Sequence, residues 1–248
     1  MVLFEQVQKV IAAMNAPCLT AAVSLAAPVD PSTGRVVRLG EAPFPAADVD
    51  VVSLLKPLVL GPVVVDNDVN WTALAMCAQY PELNCGTVLH VHLGTGLGAA
   101  LTVAGRIVHG RRGAFGELGR LRSGGRTVTD RLRELGALEE GGFAISISTI
   151  LALVEQGCSS SRADQLIQIL AETVGVAVML IDPDRLVFTG PLAEAAVVEQ
   201  LLAQLATSLD VGAVPEALYG RGGGEAPVDG ARSAAHELLV ETALEACV

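Results

Sequence analysis

Lysine is almost absent from this chain: Lys9 and Lys56 are the only two among sixteen basic residues. Acidic residues number 27, so the formal net charge is -11. A duplex-binding surface needs a basic stripe to displace counterions. These residues lack one, and no nucleic acid is expected to bind them directly. Aromatics make up only 3% of the chain, with a single Trp. The five cysteines (Cys18, Cys77, Cys85, Cys158 and Cys247) form no Cys-x-x-Cys pair. Their scatter excludes a disulfide-stapled mini-protein and is expected of reduced, buried thiols in a cytosolic protein. No positive segment followed by a long apolar stretch opens the sequence, so no signal peptide is expected. The longest apolar runs, VVSLLKPLVLGPVVV and FAISISTILALV, fall short of the ~18 residues of a spanning helix. No membrane partner is expected.

What is present is apolar and long enough to fold. Hydrophobic residues are 51% of the 248, and mean hydropathy is +0.51, which excludes a disordered chain. Residues 3–14 place Phe4, Val7, Val10, Ile11 and Met14 at helical spacing. LTAAVSLAAPVD and GPVVVD read as strands, and DVVSLLKPLVL as a short helix stopped near Pro57. PSTGRVVRLGEAPFP reads as a loop punctuated by Gly and Pro. A helix is expected from Asn67–Asp68 onward. From residue 85 the pattern becomes strand, Gly turn, strand, turn at Ala104–Gly105, strand, which is an antiparallel meander. Helices are expected over TDRLRELGALEE, around ISTILALV, and over RADQLIQILAETVGVAVMLI. Ser161 and Asp164 have capping-box spacing for the last of these. RLVFTG reads as a strand, and PLAEAAVVEQLLAQLATSL as a helix with Pro191 at its first position. GRGGGEAP reads as a loop before a last helix, SAAHELLVETALEA. This alternation argues a mixed α/β fold in two lobes. One lobe comprises residues 1–83 with 231–248, the other residues 84–230.

Four segments carry possible chemistry. In LGTGLG the spacing Gly94, Gly96, Gly98 is followed by strand-like residues, so it is neither a Rossmann fingerprint nor a P-loop. It is either a hairpin turn or a nest of backbone N–H groups facing a phosphate. In VVVDNDVNW a strand ends at Asp66–Asn67–Asp68. These residues either cap a helix or place a carboxylate where ligands of α/β proteins sit. Glu117 stands between glycines in GAFGELGRL. It is either solvated or an acceptor for sugar hydroxyls, since an ionised carboxylate only accepts. Glu139 and Glu140 end a helical stretch. His90 and His92, two apart on a strand, share a face. A metal there would lack a third ligand at sensible spacing. No Gly-x-Ser-x-Gly elbow is present, which sets hydrolase chemistry aside.

In this order the segments resemble the ROK family (repressor, open reading frame, kinase). The similarity runs from about residue 20 to the C-terminus and is greatest to the transcriptional-regulator branch. It implies a two-lobed actin-like ATPase or sugar-kinase fold, related to ribonuclease H. VDNDVNWTALA resembles the family's Asn-Asp segment. LGTGLGAALTVAGRIVHGRRGAFGELGRL resembles its second phosphate loop, meander and sugar-contacting Gly-Glu segment. GALEEG resembles the end of its Cys-rich signature, and LVFTGPLAEA its adenosine-side turn. The resemblance implies that Asp68 is the kinases' catalytic base. It assigns Asn67, Asp68, Glu117 and Glu139 to sugar contacts. Gly94, Thr95, Gly96 and Gly98 would face nucleotide phosphates, and Gly190 the adenosine.

Departures from the family pattern matter equally. The family's structural zinc is held by one His and three Cys. Those positions here read Arg120, Asp130, Leu132 and Ala137, so zinc is expected to be absent. Nothing before residue 20 resembles the first phosphate loop, Asp-x-Gly-Gly-Thr, so the first lobe is expected to be incomplete and truncated at its N-terminus. Thr189 replaces a glycine at the adenosine turn. Positioning and charge neutralisation supply almost all catalysis in phosphoryl transfer, so these losses weigh against an enzyme. The expected function is therefore a sugar-binding effector domain of a ROK-type transcriptional regulator, cytoplasmic and homodimeric, without its DNA-binding segment and without a cofactor. The alternative is an ATP-dependent sugar kinase, which would need ATP and magnesium.

Overall fold

The computed structural model describes residues 2–14, 16–39, 49–155, 161–209, 214–219 and 224–245. Its elements in chain order are α1 (Val2–Met14), β1 (Ala21–Leu25), α2 (Val51–Leu55), β2 (Val63–Asn67) and α3 (Asp68–Gln79). The meander follows as β3 (Thr87–Leu93), β4 (Leu97–Val103) and β5 (Arg106–Ile107). Then come β6 (Arg122–Ser123), β7 (Arg126–Thr127), α4 (Val128–Glu134), α5 (Ile147–Glu155) and α6 (Ser161–Ile181). β8 (Arg185–Thr189), α7 (Ala195–Ser208), β9 (Glu216–Leu218) and α8 (Ala226–Glu245) complete the described chain.

β1 and β2 pair in parallel, with Leu25 opposite Asn67. The main sheet has the order β5-β4-β3-β8-β9. Its first three strands are the antiparallel meander, and β8 and β9 add in parallel beside β3. Strand alternation divides β3 between two environments. Leu89, Val91 and Leu93 enter a large core with α6 and α7, where Leu166, Leu170, Leu201 and Phe188 are buried. Val88 faces the other way, with Met76 and Cys77 of α3. Each fully buried Leu or Phe contributes roughly 1.5–3 kcal/mol relative to exposure. α6 is long and apolar enough to cross a membrane, and 56% of its apolar window is buried inside the fold.

Several expectations change in detail. Pro191 does not open α7; it stands in the turn after β8, and Glu194 is the cap of a helix that starts at Ala195. The Gly190 carbonyl accepts the Ala193 N–H there, forming a turn that delays the helix. The helix expected to reach Glu139–Glu140 stops at Glu134, because the chain turns at Leu135–Gly136 with Gly136 at φ +63°. α8 begins at Ala226, seven residues before the sequence suggested. A capping box also forms at Thr127 and Asp130, where α4 begins. Cys77 is buried and Cys18 half-buried, but Cys85 is exposed, so the expectation of buried thiols fails there. Val10 and Met14 are exposed, so the apolar stripe of α1 is only partly covered. Residues 40–48, which include the end of the first expected loop, and 220–223, within the second, lie outside the described residues, as do Cys158 and Cys247.

Trp71 joins the elements that carry the site. Its side chain is buried, and its indole N–H donates to the Val23 carbonyl of β1 at 3.0 Å. α8 lies across α3 so closely that a Cβ on Gly230 would stand 1.9 Å from the Trp71 carbonyl oxygen. Thr20 also donates to the Ala235 carbonyl at 3.1 Å. The Gly230→Ala variant is expected to push α8 off α3 and destabilise by about 1–3 kcal/mol, the usual cost of overpacking. Chemical denaturation with hydrogen exchange along α8 measures it; unchanged protection of α8 would contradict this packing.

Candidate sugar cleft

The site is built where β2 becomes α3. Asn67 ends the strand with an extended backbone, and its Oδ1 accepts the Val69 N–H at 2.8 Å, capping α3. Its Nδ2 donates to the carbonyls of Ala27, at 3.1 Å, and Leu25, at 3.5 Å. One amide thus fixes the end of β1 to the start of α3. The Asp68 carboxylate, next along the chain, is directed into a cleft lined also by Ala26, Pro28, Thr95, Gly96 and Glu117. Thr72 donates to the Asp68 carbonyl, so the first helical turn is held from both ends.

Glu117 arrives from the other side on the loop after β5. Gly116 makes this possible: its φ is +84°, and a Cβ there would lie 1.8 Å from the Ala99 carbonyl oxygen. Ala99 N–H in turn donates to the Gly116 carbonyl at 2.7 Å, so the loop is laid onto β4. A second tie joins this loop to β2, where His109 Nε2 and the buried Asp66 Oδ2 are 2.6 Å apart. Asp66 Oδ1 also accepts from the Asn67 N–H and from Asn70 Nδ2, each at 2.7 Å.

Burial raises the pKa of the Asp68 carboxyl above its ordinary value, only partly offset by the N–H bonds at the helix start. Burial is also the main cause of the raised Glu117 pKa; Arg120 opposes the rise and the Asp68 charge adds to it. Two carboxylates that sense each other across a half-dry cleft have acceptor capacity and no donors of their own. Acids whose pKa values are raised in a cleft are candidates for a functional site.

The structure brings Asn67, Asp68, Glu117, Thr95, Gly96 and Gly98 to one cleft. The Asn67 amide is largely engaged with backbone. Glu139 is not among the residues lining that cleft. It is exposed at a loop tip closed by its own N–H donating to Ala144, while Ile145 N–H donates to the Thr95 carbonyl. Gly190 lies in a second cleft with Thr72, Thr189 and Pro227. Sequence reasoning passed over His92 as a cleft residue, although it is next to last in β3, two residues before the glycine turn; it lines both clefts.

The family-type zinc does not fit the residues present. Asp130 accepts the Thr127 N–H and pairs with Arg133, while Leu132 and Ala137 are fully buried and have no ligating atom. Among the described residues no group of three or more His, Cys, Asp or Glu could hold a metal. His90 is bonded to Thr102 at 3.1 Å and burial lowers its pKa to about 4.

Two outcomes follow from this electrostatics. An acid whose folded pKa is raised loses stability as pH rises through that range. Glu117→Gln is therefore expected to stabilise the ligand-free protein at pH 7, by about 0.5–2 kcal/mol, the ordinary size of a single stabilising substitution; thermal unfolding checks it, and a destabilised variant would contradict it. The hydrogen bond to Asp66 raises the pKa of His109, against the effect of burial. That contribution is complete below the unfolded value, about 6.5, and disappears as pH climbs through the raised folded value. The stability gap between the protein and His109→Gln is thus expected to be widest near pH ~6 and to shrink above neutrality. Denaturation midpoints across that range measure it.

Comparison with known proteins identifies the family and the fold. A family model described as the ROK family matches residues 2–128. An N-acetyl-D-glucosamine kinase from Shigella flexneri is 30% identical over 196 residues, 64% of this chain and 63% of that protein. The chain spans less than two thirds of the length of the curated relatives it matches. A ROK family glucokinase from Streptomyces griseus, solved with glucose and AMPPNP, superposes with a TM-score of 0.69 at 19% identity, covering 94% of this chain and 87% of that one. A ROK family transcriptional regulator, a homologue of the E. coli MLC protein, superposes with a TM-score of 0.68 at 19% identity, covering 94% and 67%. The fold is that of the actin-like sugar kinases, and the chain belongs to the ROK family.

Proposed function

We propose that this chain is the sugar-binding effector part of a ROK-family transcriptional regulator, acting as a cytosolic homodimer and not as an enzyme. The observation that carries this reading is the meeting of Asp68 and Glu117, from opposite sides, on one cleft. A sugar presents O–H donors, and each charge-assisted bond to a carboxylate contributes about 1.5–3 kcal/mol. Donors placed between the two acids also relieve their mutual repulsion. Binding therefore draws the α3 side and the Glu117 loop together, and a dimer would pass that closure to a DNA-reading segment. With an excess of acidic residues, the DNA reader lies outside these residues. No cofactor takes part. The positions of the family zinc are filled by a capping residue and apolar packing, which hold the α4 region without metal.

A second reading is an ATP-dependent sugar kinase, favoured by the half-buried Asp68 in the position of a base and by the kinases among the relatives. There Asp68 would take the proton of the attacking sugar hydroxyl. ATP and magnesium would supply the phosphoryl donor and its charge neutralisation.

Calorimetric titration with hexoses and N-acetyl amino sugars tests the first reading. At least one sugar is expected to give a saturable heat, weakened roughly tenfold or more in Asp68→Ala and in Glu117→Ala. No heat from any of them at millimolar concentration would remove this reading. ADP release on adding ATP and the bound sugar, abolished in Asp68→Ala, would promote the kinase instead.

A further inference from the structure

Residues 109–117 run as a strap between the two sheets. Its ends rest on β4: Val108 N–H donates to the Leu101 carbonyl at 2.8 Å, and Ala99 N–H donates to the Gly116 carbonyl at 2.7 Å. Between these ends it touches the β1–β2 side twice. His109 Nε2 stands 2.6 Å from Asp66 Oδ2 of β2. Gly113, at φ +66°, lies so close to the chain after β1 that a Cβ on it would collide with the Val29 carbonyl. The strap therefore joins the supports of both cleft acids. Asp68 follows Asp66 by two residues, and Glu117 follows Gly116 directly.

These contacts differ in kind. The glycine contacts are backbone packing and carry no titratable group; the His109 contact does. Asp66 is buried, and its Oδ1 is taken by Asn67 N–H and Asn70 Nδ2, so Oδ2 is left to the imidazole. The His109 side chain is 33% exposed and can exchange protons with water. The charge that acts on the ring is that of Asp66; the cleft acids Asp68 and Glu117 do not shift it. β1 and β4 carry no charged residue, and Asp68 is the only one on α3. On the ring's own stretch of chain, Arg106, Arg111 and Arg112 are exposed.

We propose that His109 is a proton-operated positioning residue for the cleft: the imidazolium holds the strap to Asp66, fixes Glu117 opposite Asp68 and favours sugar binding, and loss of the ring proton slackens the strap and weakens binding. This deepens the sugar-binding reading above and rests on it. A proton and a sugar that both favour the strapped state favour each other's binding by the same factor. The hydrogen bond to Asp66 raises the His109 pKa above its ordinary value. The contact is therefore at full strength at low pH and weakens as pH climbs through the raised value. A neutral ring can still donate from Nε2, so what disappears is the charge assistance, not the bond. The raised acids of the cleft act in the opposite direction, because a protonated carboxyl accepts less. Their titration cannot imitate a loss of affinity on the alkaline side.

Calorimetric sugar titration from pH ~6 to pH ~8.5, spanning the histidine range, tests this. Wild-type affinity is expected to fall about fivefold across that range, the difference between a charge-assisted and a neutral hydrogen bond. Buffers of different ionisation enthalpy should show net proton uptake on binding near neutrality. His109→Gln keeps a donor but no charge. It is expected to bind at every pH as the wild type does at the alkaline end, with no proton uptake. One arm needs no variant: followed by NMR in the wild type, the His109 ring should titrate at higher pH with sugar bound than without. That arm decides if His109→Gln does not fold. A flat wild-type profile, the same fall in His109→Gln, or equal ring midpoints with and without sugar would each overturn the proposal. Saturable sugar heat with a flat profile removes the coupling and keeps the sugar reading; no heat at any pH removes both.

Discussion

The amide of Asn67 is the interaction on which the site depends. A helix beginning directly after a strand leaves its first N–H groups without partners. Asn67 answers one of them through Oδ1, and through Nδ2 it also satisfies carbonyls at the end of β1. Because one rigid group does both, the angle between β2 and α3 and the distance to β1 are set together. Asp68 inherits its position from that constraint. Its carboxylate is directed by the backbone rather than by a salt bridge, which leaves it available to a ligand. Trp71, one helical turn on, repeats the same connection at larger scale by tying α3 to β1 and to α8.

The opposing acid is placed by different means. Glu117 lies on a loop, and loops ordinarily move. This one is restrained at Gly116, where backbone meets backbone on β4, and at His109, where a hydrogen bond reaches Asp66. The acids at positions 66 and 68 thus divide the work. Asp66 is buried and shared among an amide, a backbone N–H and an imidazole, so it has a structural role. Asp68 faces the cleft with its charge poorly solvated. On the reading proposed above, a ligand rich in hydroxyl donors would relieve both poorly solvated carboxylates at once.

Much of this was legible in the sequence, for local reasons. The run of valines followed by Asp-Asn-Asp announces a strand entering a capped helix, and both appear there. The meander is written in the Gly turn at 94–96 and in Ala104–Gly105, which adopt the positive φ that the tight hairpin needs at both positions. What could not be read depends on distant contacts. Nothing near Gly230 announces that its missing Cβ admits the Trp71 carbonyl from a helix some 160 residues earlier. Glu139 was placed by resemblance on the cleft, but Gly136 turns the chain out of helix first, and the carboxyl emerges into solvent. Pro191 looked like a helix start because its fixed φ suits one; the turn closed by Gly190 delays the helix.

The two histidines of β3 show how position alone assigns chemistry to identical residues. They share a face and stand two residues apart. His90 lies deep within the sheet, opposite Ala100 and bonded diagonally to Thr102 of β4, so the neutral ring is its stable form. His92 lies at the strand's end, where the sheet stops and no helix covers the ring completely. The same desolvation acts on both, but only His92 borders open space on two sides. A polar atom without a partner is costly in either place. His90 is only 1% exposed, so there that cost is absorbed as lost stability. At the mouth of two clefts, a ligand can relieve it.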